Sequence, residues 1–195
     1  MVDVLQLLID RIETPIGTLL LFADLDGHLR AAGWTEYESS LLRQLRMHYG
    51  ENGFRVESAR NPHGLSDAIS SYFRGDLEAI DRVPVETAGT SFQRRVWHEL
   101  RKIPCGTTIS YAELAQRIGR SSAVRAVGMA NGSNPVPIVV PCHRVIGSNG
   151  SLTGYGGGIE RKRWLLAHEK CTVATTQRDL PYELLQNCPP RTSDL

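Results

Sequence analysis

The first 88 residues contain no lysine and the first 104 no cysteine, and both absences narrow what the chain can be. Without thiols that stretch can build neither a disulfide framework nor a thiolate metal centre, so no structural zinc is expected there. The chain's four cysteines, Cys105, Cys142, Cys171 and Cys188, lie at wide, irregular spacing that fits neither a paired scaffold nor a CxxC metal pair. No apolar run approaches the ~18 residues of a membrane span. The opening residues, Met1 to Asp10, carry neither a basic flank nor a small-residue cleavage site. Their apolar alternation reads as a strand. The expectation is a cytoplasmic protein with reduced thiols and no membrane contact.

What is present is a soluble globular composition, 41% hydrophobic and 22% charged over 195 residues, enough for one or two domains. The net charge of +1 hides an asymmetry. Residues 1–88 set 8 arginines against 14 carboxylates, a balance of −6, whereas residues 89–171 carry 12 basic and 4 acidic side chains, a balance of +8. Residues 172–195 sum to −1. A basic half beside an acidic one suits an anionic partner, and equally a solvated basic surface.

The pattern predicts an α+β chain: an N-terminal antiparallel-sheet and helix domain over 1–88, a mostly helical domain with a helix-turn-helix over 89–171, and a tail over 172–195. Leu5 to Ile12 and Leu19 to Ala23 are strand-like, and Asp26-Gly27 leads into Leu29 to Trp34 as a hairpin. Thr35 with Glu38 reads as a capping box ahead of Leu41, Leu42, Leu45 and Tyr49, and Ser66 to Phe73 as a short helix. The charge changes sign around Pro84 to Gly89, which places the boundary. Beyond it, Thr90 with Gln93 caps a helix with Phe92, Val96, Trp97 and Leu100 on its buried face. Ser110 with Glu113 caps Tyr111 to Ile118, Gly119 turns the chain, and a second helix starts at Ser121 or Ser122 and runs to about Asn131. Two helices joined by a short glycine turn match a helix-turn-helix, as would any helical hairpin. The second is slender, built on Ala123, Ala126, Gly128 and Ala130 with Arg125 among them. Small residues suit tight internal packing, but a long cation on such a face is harder to explain that way.

Asn134-Pro135-Val136-Pro137 refuses a helix and leads into Ile138-Val139-Val140, a buried strand by its β-branched content. Pro141-Cys142-His143-Arg144 follows, so a thiol stands at an element's end beside an imidazole and a guanidinium. Such neighbours lower a cysteine's pKa and make a nucleophile, although a lone cysteine is more often buried and inert. That inert role is expected of Cys105, Cys171 and Cys188. Neighbours on a strand point to opposite faces, so His143 would reach Cys142 only through a water or a turn. A helix from about Gly158 ends in Trp164-Leu165-Leu166-Ala167-His168-Glu169, where Glu169 could orient His143 or stand as a solvated charge.

Taken together, Asn134-Pro135-Val136-Pro137-Ile138, Pro141-Cys142-His143-Arg144-Val145, Gly154-Tyr155-Gly156-Gly157-Gly158 and Trp164-Leu165-Leu166-Ala167-His168-Glu169 resemble the methylated-DNA–protein-cysteine methyltransferases, the O6-alkylguanine-DNA alkyltransferases. The detailed match covers about residues 89–170. The acidic first part resembles the family's ribonuclease-H-like partner domain in layout alone. The resemblance implies that Cys142 attacks the alkyl carbon on guanine O6 and keeps the group, with single turnover. His143 would deprotonate it through a water, Glu169 would hold the imidazole, Asn134 would buttress the loop, and Tyr111 would protonate guanine N3.

Arg125 would fill the stack left by the flipped nucleotide, and Ala123, Ala126, Ala130 and Arg94 would contact DNA. Val145, Tyr155, Gly156, Gly157, Pro137 and Val139 would surround the substrate. The implied partner is double-stranded DNA carrying O6-alkylguanine, held in the minor groove without sequence preference by a monomer, with neither cofactor nor metal. Gly156 departs from the serine of many relatives, which would widen the pocket. Two other readings use the same residues: a cysteine hydrolase on Cys142, His143 and Glu169, and a non-enzymatic lesion sensor or regulator. Sensors of that kind lack the acceptor cysteine, which is present here.

Overall fold

The computed structural model describes residues 4–171, so the expected tail and Cys188 lie outside the described residues. Strands β1 (Leu5–Thr14) and β2 (Gly17–Asp24) pair antiparallel across a tight turn, where Gly17 takes a φ of +114° that side chains resist. The Asp26-Gly27 turn, with Gly27 at φ +86°, leads into β3 (Leu29–Trp34), antiparallel to β2 as the hairpin pattern expects. Helix α1 (Glu38–Tyr49) then carries the chain across the sheet to β4 (Phe54–Ser58), which runs parallel to β1. The order is β3-β2-β1-β4, so the sheet is mixed where a wholly antiparallel one was expected. A helical crossover is what makes the parallel pair possible. β4 escapes a pattern search because it is an exposed edge, Phe-Arg-Val-Glu-Ser, with little apolar alternation.

β2 is buried on both faces. Leu20 and Phe22 pack under Leu41 and Leu45 of α1, while Leu19, Leu21 and Ala23 face helix α2 (Leu65–Phe73) through Ile69 and Tyr72. That second layer runs without a break into Val96, Trp97, Leu100, Val127 and Leu165 of the later helices. Truncating a buried leucine here, such as Leu21, would cost about 2–5 kcal/mol. The connection around Pro84 to Glu86 lies along the β3 edge, with Leu29 N donating to Pro84 O at 2.8 Å.

The second half contains α3 (Ser91–Leu100), β5 (Ile109–Ser110), α4 (Tyr111–Arg117), α5 (Val124–Gly132), β6 (Val145–Ile146) and α6 (Ile159–His168). The capping box of α3 is complete, Thr90 Oγ1 accepting from Gln93 N and Gln93 Oε1 from Thr90 N. Ser110 caps α4. Two caps differ from expectation. Thr35 lies in a 3-10 turn, Thr35–Tyr37, so α1 starts after Tyr37 with no side-chain cap, and α5 starts after Ala123 instead of at the serines. The expected strand Ile138–Val140 is a turn instead. Val140 N donates to Val136 O at 2.9 Å, and Ile138 sits at φ +76°, a conformation worth about 1–3 kcal/mol of strain for a β-branched residue. The prolines at 135, 137 and 141 leave this segment too few donors for a ladder. Among the described residues no helix is long and apolar enough to cross a membrane.

Candidate active site

The turn after Pro141 sets the site. Cys142–Arg144 forms a single 3-10 turn, with Cys142 N donating to Val140 O at 2.8 Å and Arg144 N to Pro141 O at 3.0 Å. Because this is a turn and not a strand, Cys142 and His143 need not point to opposite faces. Cys142 is 5% exposed and lines a pocket of about 150 Å³. The second half contributes Asn134, Pro137 and the Tyr155–Gly157 run to its wall, and the first half contributes Trp34, Tyr37, Ser40, Leu41 and Gln44. Two bonds hold the halves together here, Ala32 N to Pro135 O at 2.8 Å and Gln44 Nε2 to Ser133 O at 3.1 Å.

Behind the pocket lies a buried ionic knot. Glu169 Oε1 meets His143 Nε2 at 2.9 Å and accepts from Arg144 Nη2 at 2.8 Å and from the Tyr72 hydroxyl at 2.8 Å, while Oε2 accepts from Arg144 Nε at 2.8 Å. Arg144 Nη1 caps Ile103 O at 2.6 Å. Burial alone would raise the Glu169 pKa, but the hydrogen bond from His143 and the bonds and charge of Arg144 hold it well below the usual carboxylate range. Burial lowers the His143 pKa against the pull of Glu169, which keeps the imidazole neutral. An ionised Glu169 takes the proton-bearing Nε2, so the lone pair is on Nδ1, which has no partner among the described residues.

Burial pushes the Cys142 thiol up, opposed by the amide of Asn134 and the charge of Lys162, so the resting sulfur is protonated. Asn134 also pins the turn, its Nδ2 donating to Val140 O at 2.8 Å and its Oδ1 accepting from Val136 N at 3.0 Å. Tyr111 opens α4 and donates to Thr153 O at 3.3 Å; burial raises its pKa, which keeps its proton in place. Lys162 is fully buried, bonded to Val145 O at 2.6 Å and Thr153 O at 2.8 Å, 6.0 Å from the Tyr111 ring centre, and lowered by burial to a pKa of about 8. Cys105 and Cys171 are pushed up to about 11 and 12 by burial and by the Glu169 charge, in keeping with inert thiols.

A family described as the 6-O-methylguanine DNA methyltransferase, DNA binding domain, matches residues 91–171. The chain is 53% identical over 165 residues to a methylated-DNA–protein-cysteine methyltransferase of Shigella flexneri, covering 85% of this chain and 96% of the relative. It belongs to the methylated-DNA–protein-cysteine methyltransferase family. A Mycobacterium bovis member is 47% identical over 163 residues, covering 82% of this chain and 90% of its own. Among solved structures, the O6-methylguanine methyltransferase of Mycobacterium tuberculosis superposes with a TM-score of 0.67 at 38% identity, over 93% of this chain and 98% of that one. The M. tuberculosis protein OGT in complex with DNA gives 0.66 at 40% identity, over 85% and 92%.

In this methyltransferase the expected residues divide. Cys142, Asn134, Pro137, Tyr155, Gly156 and Gly157 share the pocket wall, and His143 and Glu169 are bonded behind it. Val139 and Val145 instead sit in the core. On α5, Arg125 and Ala126 are exposed and Ala123 is half-buried, but Ala130 is 3% exposed, its carbonyl accepting from Trp97 Nε1 at 2.8 Å. Helical phase explains that correction: Val127, Ala130 and Asn131 share the inward face, so Met129, 77% exposed, takes the outward place next to Arg125. Arg94 is exposed on α3 and bonded to Gly89 O.

Sequence reasoning missed Tyr72, Lys162 and the Trp34 wall. Lys162 carried a usable signal, a cation at i of an i, i+3, i+4 apolar stripe with Leu165 and Leu166. For a metal, one trio among the described residues stands close enough to share an ion, Asp24, His28 and Glu86. Arg30 already pairs with both carboxylates there, which supplies the positive charge.

Proposed function

We propose that this methyltransferase repairs double-stranded DNA by moving the alkyl group of O6-alkylguanine, and of O4-alkylthymine, irreversibly onto Sγ of its own Cys142. What carries the reading is the chain Cys142, His143, Glu169: a buried thiol on a pocket wall, beside a neutral imidazole whose Nε2 is tied to an ionised carboxylate. The thiol gives its proton through a water to Nδ1 of His143, and the thiolate attacks the alkyl carbon. The O6–carbon bond breaks, its electron pair stays with the purine, and Tyr111 protonates N3. The imidazolium later returns its proton to solvent and the tyrosinate regains one, so in sum the thiol proton ends on guanine. A thioether has no route back to a thiol, so each molecule acts once.

Guanine O6 is out of reach within a stacked duplex, and extruding the base costs a few kcal/mol that a side-chain wedge can offset. Arg125 suits that task, exposed beside Ala126 on a helix thin enough for the minor groove, where contacts convey little sequence. The +8 balance of residues 89–171 suits phosphate contact, so we assign DNA binding and alkyl acceptance to 89–171 and a ribonuclease-H-like supporting domain to 1–88. The protein acts as a monomer in a reducing, cytoplasmic setting. Incubation with excess O6-methylguanine duplex, followed by mass measurement, tests the reading. One methyl on the Cys142 peptide, absent in Cys142→Ser, is expected; unmodified protein with released product over many turnovers would point to a cysteine hydrolase and overturn it.

A further inference from the structure

Met129 is a large apolar side chain on a helix otherwise rich in alanine and glycine, and no role above uses it. It is 77% exposed and belongs to neither hydrophobic cluster of the described residues, so packing within the protein does not account for it. Its place on α5 is specific. Arg125, Ala126, Met129 and Gly132 are all exposed, and at i, i+1, i+4 and i+7 they share one face of the helix. Gly132 lines the Cys142 pocket. At 1.5 Å per residue, Met129 lies about 6 Å along the axis from Arg125 and about 4.5 Å from Gly132. It therefore stands between the side chain assigned to the gap in the stack and the wall of the pocket. Gly128 fixes the level: a Cβ there would stand 3.9 Å from Tyr111 Cδ1, so α5 passes the phenol assigned to guanine N3 one residue away from Met129. N3 lies on the minor-groove edge of a purine.

We propose that Met129 is a second wedge: its side chain enters the minor groove beside Arg125 and packs into the neighbouring base step on the pocket side of the lesion, holding that step open while the nucleotide is out. This rests on the reading that a lesion-bearing duplex lies along α5. Of the four outward residues, Ala126 and Gly132 let the backbone approach, and only Arg125 and Met129 stand proud of it. A helix seated in the groove on its small residues drives both long side chains toward the base edges. Proteins that kink DNA from the minor groove do so with apolar wedges, methionine among them. The unbranched thioether is flexible and polarizable, which lets it follow the edges of whichever bases it meets and suits contact without sequence preference. Exposed in the free protein, it gains by being covered only when the duplex is bound and opened, so its burial favours the extruded state. Arg125 supplies charge and fills the gap; Met129 supplies apolar contact next to it.

Single-turnover transfer from an O6-methylguanine duplex, below saturation, compared with transfer from free O6-benzylguanine, tests the assignment. In Met129→Ala the duplex rate is expected to fall on the order of 10-fold relative to the free-base rate, the effect of one methionine left unburied. Met129→Leu, apolar and of similar bulk, should restore most of that loss, whereas Met129→Gln, as long but polar, should behave as alanine does. All three variants are expected to fold, because the side chain is exposed. Fluorescence of 2-aminopurine placed next to the lesion reads the opened step directly: it should brighten with the wild type and with Met129→Leu and stay quenched with the other two. An alanine variant whose duplex-to-free-base ratio equals or exceeds that of the wild type overturns the proposal, since the side chain is then idle or in the way. A leucine variant as slow as alanine, or a glutamine variant as fast as the wild type, overturns the apolar wedge as well. A wild-type protein that takes no methyl from the duplex overturns the alkyl-transfer reading itself.

Discussion

The hydroxyl of Tyr72 donates to Oε1 of Glu169 at 2.8 Å, across 97 residues of sequence. The carboxylate that holds the imidazole is therefore itself held by the first half of the chain. Tyr72 is fully buried, edge-on to His168 at 5.1 Å between ring centres, and His168 Nε2 meets Tyr72 O at 2.8 Å. The acidic half is thus built into the site's support.

Tyr72→Phe keeps that ring packing and removes one donor to a buried charge, which should cost about 1–3 kcal/mol in urea unfolding. Glu169→Gln should cost more, about 3–5 kcal/mol, because it strands the 2%-exposed guanidinium of Arg144 and frees the imidazole. Its alkyl transfer should fall with it. Unfolding midpoints for Tyr72→Phe that match the wild type would show the bond to be idle.

Acid should unfold the protein in two stages. His143 has a folded pKa below its ordinary 6.5, so the unfolded chain binds more protons as pH falls through 6.5, and stability drops. Glu169 is held below its ordinary 4.5, so its contribution is complete above that value and drains away as pH falls further. On the alkaline side Lys162, at about 8 when folded against 10.5 when free, makes stability rise from pH 8 to about 9, above which the raised thiols of Cys105, Cys142 and Cys171 oppose it. Denaturant midpoints across pH 3 to 10 would check the sequence of slopes; a flat profile between 6.5 and 5 would contradict the buried neutral imidazole.

Adjacent glycines in the pocket should behave differently. A Cβ on Gly156 would meet only Gly132 O at 3.8 Å, so Gly156→Ser should fold normally and narrow the pocket, lowering repair of O6-benzylguanine relative to O6-methylguanine. A Cβ on Gly157 would stand 2.4 Å from Trp34 Nε1 and 2.8 Å from Tyr155 Cε1. The indole cannot retreat, because Arg161 lies 4.3 Å over its ring and bonds Ile16 O and Gly157 O. Gly157→Ala should therefore lose about 1–3 kcal/mol by overpacking. Thermal melts and the benzyl-to-methyl rate ratio measure both effects, and an unchanged ratio in Gly156→Ser would refute the pocket argument.

Arg125 is exposed, so Arg125→Ala should leave stability within about 0.5 kcal/mol of wild type. Repair of a duplex should suffer, while alkyl transfer from the free base should lose less, because only the duplex has a nucleotide to extrude. Equal losses on both substrates would remove the wedge role.

The proposed nucleophile and its proposed base were legible because they are consecutive. Pro141 and the turn it forces are local, so Cys142 and His143 could be singled out from four letters, and Glu169 from a helix end. The surroundings were not. Ile138-Val139-Val140 reads as a strand by composition, yet flanking prolines leave no ladder for it, and the turn that results is what lets Cys142 line a pocket. β4 was invisible because an exposed edge needs no apolar alternation, and the inward placement of Ala130 depended on which face of α5 packs against Trp97 of α3.

By itself the sequence determined the chemistry on offer: a thiol beside an imidazole, a cation on a slender helix, and a basic half joined to an acidic one, all set by neighbours within a few residues. Tertiary structure alone decided the environment that gives those groups their state. Tyr72 reaches Glu169 only because α2 and α6 pack on one core, and Trp34 walls the pocket only because β3 lies against the turn at Pro135. Burial and long-range hydrogen bonds set protonation, and neither can be read from spacing along the chain, because both depend on which distant surfaces exclude water together.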